Sequence, residues 1–285
     1  MTSFWSWLKS LFVDDAETQP VAAGQRVEPV VGAGGAPAAA VEPEGGLRFP
    51  ADDADSGDAA AREARWQAAY QARQAWFERE FGAFPGDILK LRNLAGVWPG
   101  GGLFALPADR VEPGLWLYTT FGLSNPDMPA TIVATPADEG AFRLEAKPAA
   151  AVVAPPAGAA GYGYEFAVLA RDSVEWPLRV LQWAANAELL QDVNILDRVE
   201  KNDGLTVQDI AVSNERGANL LIAKARPPLP NGTVLPNGGM ALLVGTVITD
   251  DEMQWALQHG RGALLERLLA DGVGQVSVLD RASVV

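Results

Sequence analysis

Residues 241–252 read ALLVGTVITDDE and contain the clearest local structural signal in the chain. The apolar run Ala241–Ile248 is typical of a buried strand. Thr249 follows this run, and Glu252 stands three residues later, which is the spacing of a capping box. In a capping box each of these two side chains accepts a hydrogen bond from the backbone N–H of the other residue. The stretch therefore predicts a strand that leads directly into a capped helix.

Strands and helices are interspersed over the rest of the sequence from Asp58 to Val285. Aromatic residues at helical spacing predict a helix over Asp58–Phe81, another helix begins at Pro177, and a last one covers Ala263–Ala270. Further strands are predicted at Leu115–Leu123, Thr131–Thr135, Tyr164–Arg171, Leu220–Ala225 and Gln275–Leu279. Because the order lacks a strict βαβ rhythm, the predicted fold class is α/β of the α+β type, a mixed β-sheet with packed helices.

The first 57 residues differ in composition from the predicted domain at 58–285. Residues 1–13 predict a short amphipathic helix, too short to span a bilayer. Its apolar face consists of Phe4, Trp5, Trp7, Leu8, Leu11 and Phe12. Residues 14–57 contain ten Ala, seven Gly and five Pro, with nine acidic residues against two arginines, so we expect a disordered acidic tether. We expect the helix to dock on a protein; peripheral contact with a membrane is the alternative.

Charge and rare residues restrict the chemistry open to this chain of 285 residues. A net charge of -14 disfavours nucleic acid as a partner, because binding to phosphates needs clustered cations. With no cysteine there is no disulfide or thiolate metal site, and with one histidine every catalytic triad would have to use His259. A secretory signal carries its positive charge before its apolar stretch, whereas Lys9 lies inside the first apolar stretch of this chain. We therefore expect a cytoplasmic protein.

No candidate enzyme site has the spacing that its chemistry requires. His259 lies between two predicted helices and is interpreted as a helix-end histidine. The glycine clusters at 100–102 and 158–163 do not open a helix after a strand, so we interpret them as loops rather than phosphate sites. The acidic pairs at 52–53 and 250–251 lie in the tether and in the first turn of a helix. We therefore expect no catalysis, no cofactor and no metal.

Four segments are informative together: YTTFGLS at 118–124, EFAVL at 165–169 leading to Trp176 and Pro177, LVGTVITDDE at 243–252, and LDR at 279–281. In their order and spacing these segments resemble the suppressor of fused domain. The resemblance covers about Asp58 to Val285 and is to the compact bacterial kind. It implies an α/β domain that has no known enzymatic activity and acts by binding another protein. Animal members look like cytoplasmic regulators that sequester transcription factors, and compact bacterial members are proposed as immunity proteins of polymorphic toxin systems.

The resemblance also singles out individual residues. Tyr118, Phe121 and Arg281 are candidates for contact with a partner. Gly122 and Trp176 are also singled out. The alternative for all five residues is a scaffold role, in which Arg281 pairs with a buried or helix-end acceptor, Gly122 forms a backbone bend and Trp176 fills the core.

Three functional hypotheses follow from these observations. The first is a bacterial immunity protein that neutralises a toxin by direct binding, with its acidity steering it onto a basic partner. The second is an adaptor whose N-terminal helix holds the domain and its client at a membrane or assembly. The third is a hydrolase that uses His259.

Overall fold

The computed structural model describes residues 56–84, 98, 101–129, 131–136, 142–147, 158–171 and 173–285. The predicted N-terminal helix and nearly all of the predicted tether lie outside these residues. Backbone contacts divide the chain into two units, of which the larger comprises residues 47–135 and 143–285.

The described elements are helices and strands in a mixed order. The helices are α1 (Ser56–Glu80), α2 (Trp176–Gln191), α3 (Ile195–Asn202), α4 (Asp250–His259) and α5 (Arg261–Ala270). The strands are β1 (Gly102–Pro107), β2 (Trp116–Phe121), β3 (Thr131–Pro136), β4 (Phe142–Lys147), β5 (Ala159–Ala170), β6 (Leu205–Ala211), β7 (Gly217–Lys224), β8 (Gly232–Leu235) and β9 (Gly238–Ile248). This mixture of α and β elements agrees with the predicted fold class.

Seven of the strands form one sheet in the order β1-β2-β5-β9-β7-β6, with β8 also paired to β9. Strands β5 and β9 pair in parallel at the centre, and the other pairs are antiparallel. Strands β3 and β4 form a separate two-stranded sheet. Within the larger sheet β6 is an edge strand, so one side of its backbone faces away from the sheet.

Both faces of the sheet are covered, because successive side chains of a strand point to opposite faces. Phe166 and Val168 of β5 belong to a cluster with α2 and α3, while Ala167 and Leu169 belong to a second cluster with α1. Strand β7, β9 and helices α4 and α5 form a third cluster. The long apolar runs seen in β5 and β9 are those of strands that are buried on both faces.

The predicted capping box is confirmed at the start of α4. The Thr249 hydroxyl accepts a hydrogen bond of 3.2 Å from the Glu252 N–H, and the Glu252 carboxylate accepts one of 2.9 Å from the Thr249 N–H. The predicted strand before it is confirmed as β9, which ends at Ile248. The local pattern thus determined both the end of the strand and the first turn of the helix.

Two predictions about the backbone are wrong. Residues 275–279 form no strand, and only Val276 forms a bridge, with Leu169. The pairing ends there because the next residue bonds through its side chain, whose hydroxyl accepts a hydrogen bond from the Val247 N–H. Residues 159–163, interpreted as a glycine-rich loop, are the first part of β5. Gly161 there has φ +55, and a Cβ at this position would lie 2.4 Å from the Leu123 carbonyl oxygen, so glycine permits close approach of two backbones.

Candidate functional site

A groove of about 610 Å³ lies beside the edge strand β6. Strands β6, β7 and β9, the start of α4 and Leu279 surround it. Its apolar surface includes Ala218, Val247 and Leu279, and its polar surface includes Asp209 and Asn219. Because Gln208, Asp209 and Asp250 are exposed, a chain from outside can reach the polar side of the groove.

One asparagine joins the Asp250 carboxylate to the backbone of Asp209, and both acidic residues line the groove. The Asn219 amide donates a hydrogen bond of 2.7 Å to Asp250 Oδ1, and the Asn219 Oδ1 atom accepts one of 3.2 Å from the Asp209 N–H. Asp209 lies at an irregularity in the β6–β7 pairing and has a φ of +54°. Gly217 makes room for this carboxylate, since a Cβ there would lie 1.8 Å from Asp209 Oδ1.

The arginine of the groove is already neutralised. Arg216 donates hydrogen bonds of 3.2 and 2.8 Å to the Asp280 carboxylate and one of 2.8 Å to the Leu279 carbonyl oxygen. Hydrogen bonding to Arg216, together with its charge, lowers the pKa of Asp280. Within the described part of the chain, Asp209 and Asp250 form no ion pair. The groove therefore presents two negative charges without a positive partner among the residues that the structure describes.

The groove is suited to recognition through charge and hydrogen bonds. Its carboxylates accept hydrogen bonds from a lysine or arginine, and its apolar residues can contact the aliphatic stem of such a side chain. Among the described residues no group of three or more His, Asp or Glu side chains is arranged to hold a metal ion. No helix in the described ranges is long and apolar enough to cross a membrane.

The first quoted family segment surrounds a buried carboxylate. Glu165 of β5 is 0% exposed. It accepts hydrogen bonds from Thr120 Oγ1 at 2.7 Å, from the Gly122 N–H at 2.8 Å and from Ser124 Oγ at 2.6 Å. Arg73 of α1 is also 0% exposed and lies 3.5 Å from Glu165. Burial lowers the pKa of Arg73, and the negative charge of Glu165 opposes this effect. The network joins α1, β2 and β5.

Gly122 occupies a position in this network that other residues fit poorly. Its φ is +131°, and a Cβ would lie 2.7 Å from Gly101 Cα. We expect Gly122→Ala to lower the free energy of unfolding by about 2–3 kcal/mol, because it combines backbone strain with a contact between two main chains. Gly114→Ala is the matched control, since Gly114 has φ +79 but no atom within 4 Å. Urea denaturation of both variants measures the difference, and equal losses would contradict the proposed clash.

A second buried carboxylate connects α2 and α3. Glu188 accepts hydrogen bonds of 2.8 Å from the Tyr164 hydroxyl and 3.0 Å from the Ile195 N–H. Burial raises the pKa of Glu188, although these hydrogen bonds oppose the shift. Burial also raises the pKa of Tyr164. Glu188 thus joins Tyr164 of β5 to the first residue of α3 and stabilises the α2–α3 connection inside the domain.

Burial and contacts indicate a scaffold role for the candidate partner residues that the structure describes. Tyr118 and Phe121 are 2% and 0% exposed, so their burial favours the scaffold role over contact with a partner. Arg281 pairs with the buried, helix-end carboxylate of Glu252 at 2.5 Å, as the scaffold alternative predicts. Trp176 is half-buried and packs against the first cluster. The remaining candidates lie outside the described residues, and they are Phe4, Trp5, Trp7, Leu8, Leu11 and Phe12.

His259 is the last residue of α4, as predicted. Its ring stacks on Trp255 with centroids 4.3 Å apart, and its Nδ1 lies 3.0 Å from the Trp255 carbonyl oxygen. Asp250 and Asp251 lie in the first turn of α4, also as predicted. The contacts of His259 are those of a helix end, which favours a structural role over the hydrolase hypothesis.

Sequence reasoning missed the groove and the role of Glu165. Asp209 lies in β6, whose polar residues weakened the strand pattern, and Asn219 lies just before the predicted part of β7. No local signal connects the two residues. Glu165 did carry a signal, because it is an acid inside the apolar run of β5. A charge in such a run is buried only with partners, which predicts a network like the one observed.

Comparison with protein-family models shows to which family the chain belongs. The model of the suppressor of fused protein (SUFU) family matches residues 101–282, which is more than half of the chain. The chain belongs to the suppressor of fused family. The match includes all four quoted segments, so the resemblance predicted from those residues is confirmed. Suppressor of fused domains are non-enzymatic binding and regulatory domains, and in eukaryotes they bind proteins.

Solved suppressor of fused structures are similar to this chain at low identity. A homologue from Neisseria gonorrhoeae FA 1090 has 16% identity and a TM-score of 0.48, with 78% of this chain and 98% of that chain covered. The Sufu–Fu complex has 21% identity and a TM-score of 0.47, with 76% and 92% covered. Drosophila Suppressor of Fused has 19% identity and a TM-score of 0.41, with 65% and 42% covered. No curated protein matches the chain.

Proposed function

We propose that this suppressor of fused domain is a non-catalytic bacterial immunity-type protein, which neutralises a basic toxin domain by binding it through the groove beside β6. The observation that carries the proposal is the pair of positioned carboxylates, Asp209 and Asp250, whose negative charge has no cationic partner among the described residues. A basic side chain of a toxin supplies the missing charge.

The overall charge supports the same kind of partner. The net charge of the whole chain is -14, so the chain attracts a basic protein over distances of about a Debye length. Nucleases and other enzymes that act on phosphates carry basic surfaces. Covering such a surface blocks access of the substrate, so inhibition needs binding alone and no chemistry by the inhibitor.

Neutralising the groove is expected to slow association with the toxin. The test compares the full chain with Asp209→Asn/Asp250→Asn, using as partner the toxin domain encoded by a neighbouring gene. We expect the association rate constant to fall by about five- to tenfold at low salt, and this difference to shrink as salt rises. Stopped-flow fluorescence or surface plasmon resonance measures both rates.

A charge-matched control distinguishes the effect of the groove carboxylates on association from the effect of the overall negative charge. Asp197→Asn/Glu200→Gln removes two exposed carboxylates of α3, which pair with Lys201 and Lys224. If this control slows association as much as the groove variant, the groove is not the binding site. If the full chain neither binds the toxin domain nor protects cells that express it, the immunity function is wrong.

A further inference from the structure

Residues 279–285, here called the closing segment, contain no helix or strand but contact three elements of the domain. Val247 of β9, Glu252 of α4 and Arg267 of α5 all bind atoms of this segment. The closing segment therefore occupies a cleft between β9, α4 and α5. The contacts between the cleft and the closing segment show which chemical groups the cleft binds.

The first recognition element of the cleft is selective for arginine. Arg281 donates hydrogen bonds of 2.5 and 2.6 Å to the two oxygens of Glu252, and one of 3.1 Å to the Val247 carbonyl oxygen. The Glu252 side chain is 0% exposed, so its charge is directed at this guanidinium and not at solvent. A planar guanidinium can satisfy both carboxylate oxygens together, whereas a lysine ammonium cannot reproduce that geometry.

The second recognition element lies three residues further along. The Val284 N–H donates a hydrogen bond of 2.9 Å to Glu252 Oε1, and the Val284 carbonyl oxygen accepts one of 2.6 Å from Arg267 Nε. The Val284 side chain packs against the third cluster, which includes Met253 and Leu268. The cleft thus recognises an arginine, the backbone of the residue three positions later, and the aliphatic side chain of that residue.

Ala282 and Asp280 contribute little to this binding, whereas Leu279 packs against the first cluster and its carbonyl oxygen binds Arg216. Ala282 is exposed, and the Asp280 side chain is 80% exposed in its pair with Arg216. Exposed ion pairs of this kind contribute little free energy. Because a few contacts hold the segment, and none of them depends on its connection to the rest of the chain, another chain with the same chemistry can make them.

We propose that this cleft is a peptide-recognition site, which exchanges the closing segment for a segment of a partner protein that carries an arginine followed three residues later by a small aliphatic residue. The site differs from the groove proposed above to bind a toxin. The two are adjacent, because Leu279 lines the groove and its carbonyl oxygen binds Arg216. Release of the closing segment therefore also frees Arg216 at the edge of the groove.

The test measures binding of a synthetic peptide to a chain whose cleft is vacated. The protein is the chain without residues 281–285, and the fluorescent probe is the peptide LDRASVV, which has the sequence of residues 279–285. We expect this variant to bind the peptide at least about tenfold more tightly than the full chain, because the attached segment competes at a high effective concentration. Fluorescence anisotropy measures both affinities.

Two controls test the specificity of the interaction. A peptide with the Arg281→Ala change is expected to lose at least about tenfold in affinity, and one with Arg281→Lys is expected to bind between the two. The variant Glu266→Gln in the same shortened chain removes an exposed carboxylate of α5 and is expected to bind the peptide normally, since Glu266 contacts Arg226 and not the closing segment.

A second variant decides the outcome if the shortened chain does not fold. The full chain with Arg281→Ala keeps the segment but vacates the arginine position, and it is expected to bind the peptide more tightly than the unmodified chain. If both variants are unfolded alone, refolding is repeated with millimolar peptide, and recovery of structure by circular dichroism supports the site. The proposal is overturned if the variants neither bind the peptide nor recover structure with it. It is also overturned if the Arg281→Ala peptide binds as tightly as the unmodified peptide.

The same experiment identifies other occupants of the cleft. A dimer of the full chain that the peptide converts to monomer would show that a second copy supplies the segment, and would overturn the assignment to a different partner. Peptide binding by the shortened chain does not depend on Asp209 or Asp250. A failure of the toxin-binding experiment therefore leaves this result unaffected, and the two proposals can fail separately.

Discussion

Replacing Glu165 with alanine is expected to lower the free energy of unfolding by about 3–5 kcal/mol, the largest effect of any single change considered for this protein. The side chain is 0% exposed, and its oxygens accept hydrogen bonds from Thr120, Gly122 and Ser124. Alanine leaves these buried donors without an acceptor and leaves the Arg73 guanidinium without a counter-charge. Urea denaturation at pH 7 measures the loss.

Comparison with Arg73→Ala separates the ion pair from the hydrogen bonds. Arg73 binds Ser124 Oγ at 3.0 Å and Asn125 Oδ1 at 2.7 Å, but it lies 3.5 Å from Glu165. Because Glu165 keeps its backbone and hydroxyl donors when Arg73 is removed, we expect Arg73→Ala to cost less than Glu165→Ala. An equal or larger cost would show that the ion pair dominates. Glu112→Ala removes an exposed ion pair with Arg171 and is expected to cost less than about 1 kcal/mol.

Replacing Arg281 with alanine is expected to lower the free energy of unfolding by about 3 kcal/mol at pH 7, because it leaves the buried charge of Glu252 without its arginine. The Arg281 side chain is 11% exposed and that of Glu252 is 0% exposed. Arg226→Ala is the matched control, since it removes an arginine from an exposed pair at 3.6 Å with Glu266. We expect that control to change stability by less than about 1 kcal/mol.

The effect of Arg281→Ala is expected to depend on pH. Burial acts to raise the pKa of Glu252, but hydrogen bonds from Arg281, Thr249 and Val284 outweigh burial and lower it. A carboxyl group whose pKa is lower in the folded state stabilises the protein above its unfolded pKa of about 4.3, and this contribution is lost as the pH falls through the folded value.

The difference between the two proteins should therefore be full at pH 7 and shrink as the pH falls below the unfolded pKa of about 4.3 and through the lower folded pKa of Glu252. Urea denaturation of both proteins at pH 7, 5 and 3.5 measures this change. A difference that stays constant over this range would contradict a charge-dependent interaction, and would assign the loss to packing of the Arg281 side chain.

Central strands and edge strands differed in how well the sequence predicted them. Strands β5 and β9 were predicted over most of their length, because strands buried on both faces are continuous apolar runs. Strand β6 was missed because its sequence LTVQDIA contains exposed Gln208 and Asp209, as an edge strand tolerates. Helix α3 was missed because its eight residues are too few to establish helical periodicity.

The site was less predictable than the fold because its residues come from distant parts of the chain. Asp209 and Asp250 are brought together through Asn219, which the sequence places near neither of them. Arg281 was predicted to pair with a buried or helix-end acceptor, and the structure identifies this acceptor as Glu252. The sequence thus predicted which kind of acceptor Arg281 binds. Which residue is that acceptor depends on how the closing segment packs on α4.

By itself the sequence determined the two central strands and the capped helix after β9, because residues that lie close together in the chain encode each of them. It also determined the family, because four short segments keep their order and spacing along the chain. Only the tertiary structure decided which carboxylates are buried and which face the groove. An acidic residue has the same sequence pattern in either place, and its role depends on the donors and the solvent that folding places around it.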